Sequence, residues 1–125
     1  MELNTFFNHD TDEQIIQKRS AEELNLWMNH IDYIINESDR LSKIASNVIK
    51  NRDFRDQFLE VIIKNQSVLN ALNGYKNTMP QYKECDNFEC DLYYINKHED
   101  FRKKYLETVA NYRANKNKFY SEILS

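Results

Sequence analysis

One glycine and one proline in 125 residues leave the chain almost without the residues that make tight turns. A fold of many strands needs such turns at short intervals, so the scarcity excludes it and leaves long helices. Cysteine is nearly as rare, and two residues are too few for a disulfide framework. In a reducing compartment they are expected to stay thiols. No run approaches the roughly 18 apolar residues that span a bilayer, and the opening MELNTFFNHD has neither the basic n-region nor the apolar h-region of a signal peptide. A soluble, cytoplasmic protein is the expectation. The net charge of −3 offers no general attraction to a phosphate backbone, which makes nucleic acid an unlikely partner. A lone glycine also leaves no room for a phosphate-cradling loop or a nucleophile elbow, and no nucleophile–base pair stands out. The chain therefore reads as a non-enzyme without a cofactor.

What remains is 41% hydrophobic and 30% charged, with apolar residues recurring every three or four positions. That periodicity predicts one domain over 1–125, an all-α, up-down-up antiparallel bundle of three long helices at about 20–50, 53–78 and 87–124. A short N-terminal helical segment precedes them, able to complete a four-helix-like bundle. It contains Phe6 and Phe7 and opens with a capping box at Thr11 and Gln14. A second box, at Ser20 and Glu23, is expected to start the first long helix. Asn51 or Asp53 caps the second helix, and Pro80 forbids its continuation.

The densest chemistry lies in YKECDNFECDLYYINKHEDF, residues 82–101. With Asp86 as N-cap of the third helix, Glu89 falls at N3 and completes a capping box. Cys85 and Cys90 then take the N′ and N4 positions of a hydrophobic staple. The alternatives are a disulfide between them and, less favoured, a metal or redox role. Zinc lacks a second matching pair of ligands, since C-x₄-C stands alone.

Counting outward from the two turns puts Ser38, Asn65 and His98 at similar heights, as polar interruptions of three apolar faces. They predict a polar core layer that fixes register. Glu23, His30 and Glu37 are each seven apart and share a flank of the first helix, expected to be a solvated face. The alternative is a metal site using His30, Glu37, His98 and Glu99. Against it, no Glu-x-x-His pair occurs, and HEDFR is not the H-E-x-x-H motif.

At 1.5 Å per residue the third helix would be roughly 55 Å long and the second roughly 40 Å. The end of the third helix should therefore overhang, leaving Phe119, Tyr120, Ile123 and Leu124 as an interface, which Tyr105 and Tyr112 extend as amphipathic rings at a rim. Acidic residues gather at one end of the rod (Asp10, Glu13, Glu84, Asp86, Glu89 and others) and basic ones at the other, which suits an antiparallel homodimer. The leading expectation is a self-associating bundle that acts through protein–protein contacts. A further alternative is single-stranded nucleic acid stacked on tyrosines interleaved with Arg102, Arg113 and Lys116.

Overall fold

The computed structural model describes residues 11–125; Phe6, Phe7 and Asp10 lie outside the described residues. Three long helices pack together, and no strand occurs among the described residues. Helix α1 spans Asp12–Ile44, α2 spans Arg52–Thr78 and α3 spans Phe88–Leu124. No helix among the described residues is long and apolar enough to cross a membrane.

The Thr11–Gln14 capping box is present, with the Gln14 amide donating to Thr11 Oγ1 and the Thr11 amide donating to Gln14 Oε1. It opens the long helix itself. α1 runs from Asp12 through Ser20 without a break, so the expected restart at 20 does not occur. Nothing at Ser20 forces an end, because Ile15 and Ile16 are followed by good helix formers and no glycine or proline intervenes.

α1 ends in a π-helical turn, Ala45–Ile49, which a left-handed Lys50 (φ 61°, ψ 37°) closes. The Asn51 amide returns to the Ala45 carbonyl at 2.8 Å, satisfying an orphan acceptor at the helix end. Asn51 then caps α2 by accepting from the Phe54 amide at 3.1 Å. Two residues thus turn the chain between antiparallel helices.

The second connection is different. Past Thr78 the chain continues as a 3₁₀ turn, Met79–Glu84, with Pro80 in its first turn, where a missing amide proton is harmless. This turn lengthens α2 enough to match α3. Tyr75 meets His98, and Phe54 meets Phe119, so α2 and α3 stay in step over 21 residues. The expected overhang therefore shrinks to the last few residues.

The core has two parts. Leu24, Trp27, Ile31, Ile34, Val61, Val68, Leu72, Tyr75, Val109 and Tyr112 form the larger one. Leu41, Ala45, Phe58 and Phe119 form the smaller, next to the α1–α2 turn. α1 and α2 make the closest backbone approach, while α1 and α3 stand farther apart with larger side chains between them.

Candidate functional site

The space between α1 and α3 is filled by three polar rungs. Glu23 meets His98, His30 meets Tyr105, and Glu37 meets Tyr112, each pair 75 residues apart. Both partners step by seven, so two heptad rows lie side by side on parallel helices, as the 3.5-residue repeat of facing helices requires. The flank expected to be solvated is therefore the α3-facing seam of α1.

The first rung is a chain of four side chains. Glu23 Oε1 accepts from His98 Nε2 at 2.7 Å and from Arg102 at 2.5 Å, and Tyr75 contacts His98 Nδ1 at 2.6 Å. Burial pushes the Glu23 carboxyl up, but hydrogen bonds from Arg102 and His98, with their charges, outweigh it and leave the group below its ordinary value. An ionised Glu23 requires Nε2–H as donor. In the neutral imidazole Nδ1 then accepts from the Tyr75 hydroxyl. Trp27 lies flat on His98, with ring centroids 4.8 Å apart, and continues to Tyr105 at 5.5 Å. Arg102 sits over the same indole, so its charge is held by a ring face as well as by Glu23.

The third rung repeats the design. Glu37 accepts from Tyr112, from Tyr33 at 2.6 Å and from Lys116 at 2.5 Å. Burial raises the Glu37 carboxyl, but the bonds from Lys116 and Tyr33, with the charges of Lys116 and Arg40, outweigh it and leave a net depression. Lys116 is raised, chiefly by its bond to Glu37. The cation follows its α3 partner by four residues in both rungs: Arg102 after His98 and Lys116 after Tyr112. The middle rung has no carboxylate. There burial and the Arg113 charge push His30 down, and burial pushes Tyr105 up, which keeps both rings neutral.

A tyrosine, a histidine and a carboxylate in series resemble an acid–base relay, but their environment works against one. Tyr75 is 3% exposed, and burial drives its hydroxyl up to about 12. The proton is held on Tyr75 rather than made available. A groove of about 990 Å³ is lined by Gln14, Gln17, Met79, Tyr82 and Phe88 among others, and none of Glu23, Tyr75 or His98 lines it.

Several expectations need correction. His98 does not share a layer with Ser38 and Asn65. By the Tyr75–His98 register, Asn65 stands about ten residues farther along the bundle, or roughly 15 Å. The 3₁₀ turn follows Thr78 without a break, so the chain reverses nearer Asn87 than Pro80 suggests. Ser38 and Asn65 are each buried, at 0% and 1% exposure, but they do not form a network. Asn65 donates to the Val61 carbonyl of its own helix, while Ser38 Oγ and Asn65 Oδ1 have no hydrogen-bond partner among the described residues.

At the start of α3, Asn87 rather than Asp86 is the N-cap, accepting from the Cys90 amide at 2.8 Å. Glu89 moves to N2 and Asp86 only receives a bond from the Asn87 side chain. Cys85 and Cys90 are joined in a disulfide, so the staple of two thiols is replaced by a covalent one. The alternative metal residues do not converge. His30 and His98 belong to different rungs, Glu37 is held by Lys116 and two tyrosines, and Glu99 pairs with Arg102. Among the described residues no group of three or more potential ligands is placed around a common point.

The expected interface also changes. Phe119 is 1% exposed, sealed by Phe54 and Phe58, and Tyr112 is buried in the third rung. Tyr105 faces His30, leaving only Tyr120, Ile123 and Leu124 of that set on the surface. With Tyr94, Tyr105 and Tyr112 turned inward, the continuous tyrosine–arginine face proposed for nucleic acid is absent as well.

A different surface of α3 is apolar. Phe88, Leu92, Ile95 and Leu106 are exposed by 76%, 41%, 39% and 55%. With Glu99 and Arg102 they alternate in steps of four and three, a second heptad stripe lying beside the core-facing one. The pattern was present in the sequence, overshadowed by the stronger stripe through Tyr94, His98 and Phe101. No protein-family model, curated protein or solved structure matches the chain.

Proposed function

We propose that this is a non-enzymatic helical-bundle protein that acts through protein–protein contacts and associates with itself as a homodimer. The observation that carries the reading is the contrast between the two stripes of α3. Its reactive side chains are spent on fixed rungs to α1 and α2, whereas Phe88, Leu92, Ile95 and Leu106 remain in solvent at the spacing one helix offers another. A tyrosine pushed up to about 12 and a carboxylate clamped by Arg102 support a structural role for the His98 cluster. The Cys85–Cys90 disulfide favours an oxidising compartment over the expected cytoplasm.

Light scattering on the purified chain tests the reading. A mass near twice 15.1 kDa that falls toward 15.1 kDa on dilution is expected. A mass of 15.1 kDa at every concentration overturns self-association.

A further inference from the structure

We infer that the partner for the outer stripe of α3 is the α3 of a second copy, packed antiparallel about a two-fold axis that passes between Ile95 and Glu99. This rests on the self-association just proposed and gives it a surface and a register.

The stripe runs Phe88, Leu92, Ile95, Glu99, Arg102 and Leu106, and it maps onto itself when reversed about position 97. Phe88 then meets the partner's Leu106, closing an apolar contact at each end of the seam. Leu92 meets the partner's Arg102, whose alkyl stem covers it while its guanidinium stays on Glu99 and Glu23. At the centre Ile95 meets the partner's Glu99, whose carboxylate stays on its own Arg102, so each copy offers the same patch, as a two-fold interface demands.

Direction is set by the flank away from α1. Glu89, Asn96 and Lys103 are seven apart there, all exposed, with the acid at one end, the base at the other and the amide between them. Antiparallel packing puts Glu89 beside the partner's Lys103 twice, and Asn96 beside the partner's Asn96. Parallel packing forms neither Glu89–Lys103 pair, because there this flank faces the partner's other flank, where Asp91, His98 and Tyr105 stand. The opposite flank, Asp91, His98 and Tyr105, leads into the rungs, and antiparallel packing sets its one carboxylate, Asp91, beside the partner's Tyr105 rather than beside a like charge. The acidic first turn of α3, Glu89 and Asp91, with Glu84 and Asp86 just before it, is carried toward the basic stretch Arg102, Lys103 and Lys104 of the other copy.

The test is sedimentation equilibrium on the full chain and five variants, with helicity checked by circular dichroism. Glu89→Lys and Lys103→Glu should each weaken the dimer by roughly tenfold, since each disturbs two exposed pairs. The double swap, Glu89→Lys with Lys103→Glu, should restore the wild-type constant. Leu92→Glu with Ile95→Glu should give a monomer of wild-type helicity, whereas Leu124→Glu should leave the dimer intact. If the apolar double variant loses helicity, the charge set decides alone. A dimer indifferent to all these changes overturns the α3 seam but leaves self-association standing. Charge variants that weaken the dimer without rescue by the swap overturn the antiparallel register. A wild type that stays monomeric overturns both.

Discussion

Glu23 and His98, 75 residues apart, share a 2.7 Å hydrogen bond that closes one end of the seam between the first and third helices, and Arg102 holds the same carboxylate at 2.5 Å. Replacing Glu23 by Ala leaves the His98 imidazole N–H without its acceptor in a half-buried place and leaves the Arg102 guanidinium with Glu99 alone. The expected loss is about 1–2 kcal/mol, at the lower end of charged hydrogen bonds because the carboxylate is 35% exposed. Urea denaturation measures it as a lower midpoint at unchanged slope. A wild-type midpoint would mean that the rung contributes nothing.

Acid should weaken the fold in two stages. His30 is depressed below its ordinary 6.5, so as pH drops the unfolded chain takes up its proton first, and stability begins to fall there. Glu23 and Glu37 are also depressed, from an ordinary 4.5. Their stabilisation is complete above that value and disappears as pH falls through the lower folded values. Denaturation midpoints should therefore decline gently below about pH 6.5 and steeply below about pH 4.5. His30→Gln should abolish the first stage while sparing the second; persistence of the early decline in that variant would exclude His30 as its source.

Ser38 is fully buried, and its hydroxyl has no partner among the described residues. Ser38→Ala removes a desolvated polar group without opening a sizeable cavity. It should be neutral or raise stability by up to about 1 kcal/mol, read from thermal or urea unfolding. A loss larger than that would reveal a hydrogen bond that the geometry does not contain.

Lys50 adopts the left-handed backbone region, where a Cβ crowds the following carbonyl at a cost of about 1–2 kcal/mol. Lys50→Gly should raise the melting temperature, with a gain of about 1 kcal/mol after the extra entropy of glycine is subtracted. Lys50→Val should lower it. The opposite order would mean that the turn adjusts its backbone freely.

The helical architecture was legible because the apolar residues repeat with helical spacing and nothing in the chain can make the turns of a sheet. Registers were less legible. Nothing in the local pattern shows that Met79–Glu84 stays helical after Thr78, and the later reversal goes with a register in which His98 meets Tyr75 rather than Asn65 and Phe119 meets Phe54. The capping box at Ser20 and Glu23 misled for a related reason: a local motif is decisive only where the chain also stops being helical. Glu23, His30 and Glu37 were visible as a heptad row. Their partners His98, Tyr105 and Tyr112 form a matching row, and parallel placement of the outer helices of an up-down-up bundle is what joins the two. The surface stripe from Phe88 to Leu106 was hidden by sharing its helix with a longer core stripe.

The spacing between α1 and α3 gives the molecule two joints of different character. Where α1 meets α2, adhesion comes from close-packed hydrocarbon and responds mainly to temperature and denaturant. Where α1 meets α3, much of the adhesion passes through ionised and hydrogen-bonded groups, so protons and dissolved ions act on it directly. Solution chemistry therefore acts on the α1–α3 seam, while Phe101 on Tyr75 and Phe119 on Phe54 and Phe58 keep the third helix held to the second.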